Sequence, residues 1–434
     1  MRKHLKIFFY LAAVGIVALL GRMMKLEWVY QGVAFLMAVL PVSSIYKNYK
    51  RRQYERKRFD YANAYITHMG QEFAEHGKIL QALKETRNIF TEGDMKKKLI
   101  QAISHIEDSF DVELAEHEAL EDIATEYDCE RIRTLHDFLL RAEQRGGSCG
   151  KEFRLLESIR QVWEQSVLKH CKTMGMTRNL VVFEYVLLVV VCIFMLYQFP
   201  TELEIIQLPL VQVLNTFLIV CFFILYYRMD KKQSGSLLKD VPMMTRQQAM
   251  KKLRYIRSFQ EKMTIFQMLE CGKYIYIKWQ LKQEIKRVFP CWLFDVLLLL
   301  QSENVSVALG KSIDKAPPVL RGELEKMQQD LEENPMSAEV FLSFFQEFHM
   351  PEIEGIMHKL YALNQGTGIG QEVMNLIIDT NMKLLAESEQ QRLHLKGDLM
   401  SVYYMLPTVP IMIGMIGYGV ALMFVIFQNV VELI

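Results

Sequence analysis

Five stretches of the chain are nearly free of charge: Ile7 to Gly21, Trp28 to Tyr46, Leu180 to Phe199, Leu208 to Tyr227 and Val402 to Phe427. A helix needs roughly 20 apolar residues to cross the hydrocarbon core of a bilayer, so the pattern predicts five membrane-spanning helices. The two central runs are parted by the short acidic stretch 200–207, which makes them a hairpin. The first two runs make another. The run Ile7–Gly21 could instead be a signal peptide, but Gly21-Arg22-Met23-Met24 is a poor cleavage site and a second apolar run follows almost at once.

The segments between the runs are polar with a helical period. Ile132, Leu135, Leu139 and Ala142 recur at steps of three and four among Arg131, Arg133, Asp137 and Glu143, giving one apolar stripe. Gly146-Gly147 is read as the stop of that helix, because glycine takes a left-handed cap conformation at little cost. A further amphipathic helix follows through Phe153, Leu156, Ile159 and Trp163. Residues 229–290 are basic and aromatic, read as one or two long helices that end at Phe289-Pro290. Beyond them the helical pattern resumes, punctuated by Ala316-Pro317-Pro318, Asn334-Pro335, Met350-Pro351 and the turn 366–370. The chain therefore divides into an N-terminal transmembrane hairpin (1–46), a first cytosolic helical domain (47–178), a central transmembrane hairpin (179–228), a basic helical linker (229–290), a second cytosolic helical domain (291–398) and a C-terminal transmembrane helix (399–434).

Charge sets the expected sidedness. Basic residues gather at 2–6, 47–58, 169–178 and 228–232, and basic flanks mark the cytoplasmic side of a span. The acidic turn 200–207 falls opposite. Five spans then place the N-terminus and both helical domains in the cytosol and the C-terminus outside, with Arg22 and Lys25 in the first outer turn as the weak point. Of the 434 residues, 51% are hydrophobic and 23% charged, too apolar for a soluble protein and too charged for a bare bundle of spans. A net charge of +1 gives no global field for nucleic acid. Seven scattered cysteines without a Cys-x-x-Cys pair read as reduced thiols, with no zinc spacing.

The two polar segments overlay. A shift of 221 residues sets Gly147 on Gly368, Gln144 on Gln365, and Ile132, Leu135 and Leu139 on Ile353, Ile356 and Leu360. It also sets Tyr127 on Phe348, and Leu155-Leu156 on Leu376-Ile377. Upstream, Ala82-Leu83 meets Ala308-Leu309 at a shift of 226. Any two amphipathic hairpins can be overlaid to some degree; the shared order and the nearly constant shift argue for duplication. The fold class is then an all-α membrane protein, with five transmembrane helices and two duplicated cytosolic helical-bundle domains.

With Arg145-Gly146-Gly147 ahead of Leu155-Leu156, and Phe289-Pro290 leading into Leu297–Gln301 and Ala308-Leu309, the chain from about 60 to 430 resembles the type II secretion system F family. These are the inner-membrane platform proteins of secretion machines and type IV pili. The N-terminal hairpin is most like the Tad-type pilus branch, while the long basic 229–290 segment departs from the simplest pattern. The resemblance implies a scaffold of the prokaryotic cytoplasmic membrane, not an enzyme. Its expected partners are a hexameric secretion ATPase, prepilin or pseudopilin subunits, other inner-membrane assembly proteins, membrane lipids, and a second copy or a paralogue. No nucleic acid and no cofactor is expected.

Gly147-Ser148-Cys149-Gly150-Lys151 falls short of a phosphate loop, since Arg145 and Glu152 stand where Gly and Ser or Thr are required. His117-Glu118 lacks the second histidine of a metalloprotease helix, so no catalytic, cofactor or metal residues are assigned. The turn residues Arg145, Gly146, Gly147, Gly366 and Gly368 are marked as repeat motifs. Inside the spans, Glu184 either snorkels or faces a polar partner such as Asn215, and Pro407, Pro410, Gly414 and Gly417 are read as close-packing positions of the last span or as a pilin-docking groove. Lys251, Lys252, Arg254 and Arg257 form a basic face for lipid, for an acidic partner or simply for solvent. A transporter or a membrane-anchored ligand-binding sensor stands as the alternative class.

Overall fold

In a computed structural model of the chain, residues 2–146, 149–198, 205–261, 271–397 and 408–432 are described, and among them there is no strand. The helices are α1 (Arg2–Met23), α2 (Trp28–His76), α3 (Ile79–Ile89), α4 (Asp94–Glu107), α5 (Val112–Tyr127), α6 (Glu130–Arg145), α7 (Gly150–Gln198) and α8 (Pro209–Lys232). They continue as α9 (Arg246–Glu261), α10 (Cys271–Leu299), α11 (Val305–Ser312), α12 (Pro318–Glu333), α13 (Ala338–Leu342), α14 (Pro351–Asn364), α15 (Gly370–Gly397) and α16 (Thr408–Glu432). Short 3-10 turns occupy Ile205–Gln207 and Gln346–Phe348. The chain forms two compact units. The first is Met1–Phe59, Leu168–Leu237 and His394–Ile434; the second is Asp60–Val167 and Leu238–Leu393. Both divisions in the first half fall inside a helix, α2 and α7, which carry no break there.

The first unit holds five helices long and apolar enough to cross a membrane, in α1, α2, α7, α8 and α16. They fall in the five runs read from the sequence, of which residues 199 and 402–407 lie outside the described residues. Their shared core uses one side of each helix: Ala13 and Val17, Ala34 and Ala38, Tyr185 and Val189, Leu218, and Tyr418 and Val425. The opposite sides still carry Phe8, Leu36, Phe194, Phe424 and Phe427, all exposed. Helices that are apolar both inward and outward suit a hydrocarbon solvent, because water would drive the outer faces together. Between α8 and α16 the backbone approach is close. A Cβ at Gly417 would overlap Leu214, and one at Gly414 would sit 3.2 Å from Leu218. These glycines thus serve helix packing inside the bundle. Pro410 is buried in the first described turn of α16, where a missing N–H costs no intrahelical bond; Pro407 lies outside the described residues.

In the second unit, local signals set the helix ends. Asp111 accepts the Leu114 N–H at 3.1 Å ahead of α5, and Asn304 accepts the Val307 N–H at 2.9 Å ahead of α11. Each removes one orphan donor of a first turn. Pro318 and Pro351 stand at the first position of α12 and α14, with φ already helical. The reading of Phe289-Pro290 as a helix end is corrected: α10 runs through Pro290 to Leu299. Phe289, Trp292 and Leu293 are fully buried on either side of it, and the Asn381 side chain donates to the Pro290 carbonyl at 3.2 Å. Tertiary packing outweighs the lost backbone bond. Nor do helices run unbroken from the end of α8, since 233–245 is irregular before α9 begins.

Two sets of short helices in this unit follow the same order. α3 packs on α4 and α6, and α5 on both α4 and α6; α11 packs on α12 and α14, and α13 on both α12 and α14. Ala82 and Leu83, Tyr127, and Ile132, Leu135 and Leu139 are buried, as are Ala308 and Leu309, Phe348, and Ile353, Ile356 and Leu360. The sets also differ. Where the first has the continuous α5, the second has α13 and a 3-10 turn flanked by Phe345 (φ 50°) and His349 (φ 46°). Leu155 is buried, whereas Leu376 is 52% exposed and Ile377 takes the buried place.

The glycine stops fall where the sequence put them. Gly146 follows α6 with φ 68° and ψ 176°, and Gly366 follows α14 with φ 66°; Gly147 and Gly368 lie outside the described residues. The Gly146 conformation is essentially reserved to glycine, and nothing lies near its missing Cβ. Gly146→Ala is expected to lower stability by about 1–3 kcal/mol, read as a lower melting midpoint of the detergent-solubilised protein. Gly355→Ala, within α14 and in open space, is expected to leave the midpoint equal or higher. Equal midpoints for the two variants would contradict the assignment of Gly146 as the stop.

Candidate functional site

Among the described residues, each unit holds a network of buried polar side chains. In the second unit, Glu389 of α15 is almost wholly buried between Arg131 of α6 and Arg392 of α15. Arg131 donates to one carboxylate oxygen and Arg392 to the other, the latter at 2.8 Å. Arg392 also lies 3.4 Å from Asp240, and the Cys291 sulfur of α10 accepts from Arg131 at 3.7 Å. Burial alone would raise the Glu389 carboxyl, yet the two guanidinium groups pull it below the usual range. Burial would lower Arg131, but Glu389 holds it firmly charged. Burial likewise pushes the Cys291 thiol up, which keeps it protonated despite Arg131. Outer pairs Lys315–Asp137 and Lys239–Asp128 (3.2 Å) join the same two halves of the unit. A cavity of about 150 Å³ adjoins the network, with Arg160, Asp295 and Trp292 among its walls. Burial raises the Asp295 carboxyl to about 6.

In the first unit, amides of α8 satisfy backbone groups of the turn between α1 and α2. Gln212 accepts the Glu27 N–H at 3.0 Å and donates to the carbonyls of Lys25 (3.1 Å) and Ile206 (2.7 Å). Asn215 donates to the Met24 carbonyl at 3.4 Å and accepts the Tyr418 hydroxyl of α16 at 2.5 Å. Tyr185 of α7 donates to the Leu218 carbonyl. A backbone group left unpaired away from water is costly, so a turn packed against an apolar helix is stabilised by such partners. Asn215 is thus engaged by Tyr418 and Met24, and no hydrogen bond joins it to Glu184 among the described residues. Glu184 is half-buried on α7. The sequence reading singled out Asn215 and passed over Gln212, Tyr185 and Tyr418. Gln212 was visible by the same signal, a polar amide in an apolar run; the tyrosines carried none, being common in spans.

The remaining candidates sit as follows. Arg145 donates to Glu152 at 2.7 Å across the turn into α7, so the phosphate-loop look-alike carries an internal ion pair. Arg257 of α9 is bound by Glu323 (2.7 Å) and Glu347 (2.9 Å), and Lys252 donates to Gln280. Lys251 and Arg254 are exposed, so the basic face is narrower than the sequence suggested. Glu72, Glu75 and His76 at the end of α2 bring three ligand-type atoms together on an exposed turn; their spacing of three and four was legible but was not singled out. In the first helical set, Tyr65 and His136 share a buried hydrogen bond of 2.8 Å. Burial lowers His136 to about 3, leaving the ring neutral.

No protein-family model matches the chain, and no curated protein or solved structure matches it.

Two measurements test the energetics. Arg131→Ala leaves Glu389 without its cross-half cation and is expected to lower stability by about 3–5 kcal/mol. Arg131→Met combined with Glu389→Gln should recover part of that loss, because the uncompensated charge is the larger penalty. A single-variant loss no greater than that of a surface pair, about 0–1 kcal/mol, would contradict the account. Glu116 of α5 offers a pH test. Burial first, then Glu143 and Glu113, lifts its carboxyl to about 7, with Lys78 opposing. The folded value lies above the unfolded one, so stability falls as pH climbs toward 7 and levels off beyond it. Glu116→Gln is expected to raise the melting midpoint over the parent more at about pH 8 than at about pH 5. A pH-independent difference would remove Glu116 as the cause.

Proposed function

We propose that this chain is the inner-membrane platform of a type II secretion or type IV (Tad-like) pilus assembly machine. The observation that carries the reading is the twofold set of helices in the second unit. α3–α6 and α11–α14 agree in order, in packing partners and in the buried positions Ile132/Ile353, Leu135/Ile356 and Leu139/Leu360. We read them as duplicated cytosolic helical-bundle domains suspended from five spans, with the basic ends of α2, α7 and α8 inside and the far end of α16 outside. In this reading a hexameric ATPase acts on the paired bundles and prepilin subunits reach the spans from the bilayer. Movement is passed along α2 and α7, which continue without a break from the apolar bundle into the second unit. No catalytic step is assigned to the chain.

A second reading, a membrane-anchored ligand-binding sensor, draws on the cavity beside Arg131 and Glu389. Its walls mix both signs of charge and select no particular ligand, so the platform reading is preferred. The full-length protein in nanodiscs is expected to retain the ATPase encoded beside its gene on co-purification, and gene deletion is expected to abolish the fibre. Failure of both, together with a ligand-dependent melting shift lost in Arg131→Met, would favour the sensor.

A further inference from the structure

A second cavity, of about 250 Å³, lies in the first unit where α2, α7 and the segment after α8 meet. This is several times the ~30 Å³ share of one water. Tyr49, Arg52 and Arg56 of α2, His170 and Arg178 of α7, and Leu237 are among its walls. Its cations are not equally engaged. Arg52 is matched by Asp230, which is fully buried at the end of α8. Arg178 donates to the neutral Gln233 amide at 3.3 Å, and Arg56 is exposed. Glu55 also faces the space, with Arg58 3.9 Å away. Arg56 and Arg178 therefore bring positive charge to one concave site, with Arg52 beside them. Guanidinium forks suit a phosphate, which can accept two parallel bonds from each.

We propose that this cavity binds the phosphate headgroup of an anionic phospholipid. The shared chemistry is a phosphate anion, and two features favour a lipid over a free ion. The helices that line the cavity, α2 and α7, also carry apolar runs, and Met174, Cys171 and Leu237 are apolar walls that a small ion would not use. Tyr49 is one of its walls, and one turn earlier on α2 Tyr46 carries Lys50 over its ring at 4.7 Å, an aromatic and basic collar of the kind found at headgroup level. Basic pockets between spans on the cytoplasmic side are suited to such headgroups. The inference rests on the membrane reading of the five helices and not on the platform role.

The test uses the full-length protein in a neutral detergent, with its melting midpoint read after adding dioleoylphosphatidylglycerol, dioleoylphosphatidylcholine or inorganic phosphate. Phosphatidylglycerol is expected to raise the midpoint, while phosphatidylcholine and inorganic phosphate leave it unchanged. Arg56→Gln/Arg178→Gln should at least halve the shift, and Lys251→Gln/Arg254→Gln should keep it. Should the double variant not fold, Arg56→Gln alone, at an exposed position, must still reduce the shift. An undiminished shift in these variants, or an equal one with phosphatidylcholine, would overturn the proposal. An equal shift with inorganic phosphate would overturn its lipid source. Protein that stays soluble without detergent would instead refute the membrane reading itself.

Discussion

A carboxylate taken out of water must be matched, and Glu389 is matched by two guanidinium groups from different parts of the chain. Arg392 comes from its own helix, but Arg131 comes from α6, more than 250 residues earlier. That tie has consequences beyond its own energy. Net gains from buried ion pairs are small, because desolvation offsets attraction, whereas breaking one leaves a costly orphan. The pair therefore acts chiefly as a register pin: α6 and α15 must meet at this level or bury an unpaired charge. The outer pairs Lys315–Asp137 and Lys239–Asp128 are more exposed and add little by themselves.

The apolar bundle obeys the same rule in a different solvent. The irregular backbone between α1 and α2 is pinned to α8, because Gln212 and Asn215 take up the carbonyls of Lys25 and Met24. Asn215 in turn fixes α16 through Tyr418. Close approach at Gly414 and Gly417 lets those groups reach each other. Small residues and polar bridges thus work together between α8 and α16, where lipid supplies no hydrophobic drive for association.

How much of this was legible depended on whether the deciding term was local. Charge-free runs gave the five apolar helices, and the stripe Ile132, Leu135 and Leu139 gave a buried face. Pro318, Pro351 and Gly146 marked helix ends because their effect acts within one turn. Pro290 misled for the same reason: its local preference is to break a helix, but Phe289, Trp292 and Leu293 bury on both sides of it. The basic and aromatic composition of 229–290 hid the stripe Ala249, Leu253 and Ile256 of α9 and Leu281, Ile285 and Val288 of α10, all buried in the second unit's core. The candidate site was the least legible part. Arg131, Glu389 and Asp240 look like ordinary surface charges until the fold brings them together, and no spacing in the sequence announces a long-range ion pair.

The proposed function requires that the paired helical sets share one compartment and that the apolar helices carry the chain across a bilayer. The most direct test is sidedness. In a cysteine-free background, single cysteines replacing Glu92, Glu332 and Gln207 would be probed in intact cells with a membrane-impermeant maleimide. The account predicts labelling at position 207 alone, with 92 and 332 reacting only after the membrane is opened. Labelling of either 92 or 332 in intact cells would contradict it.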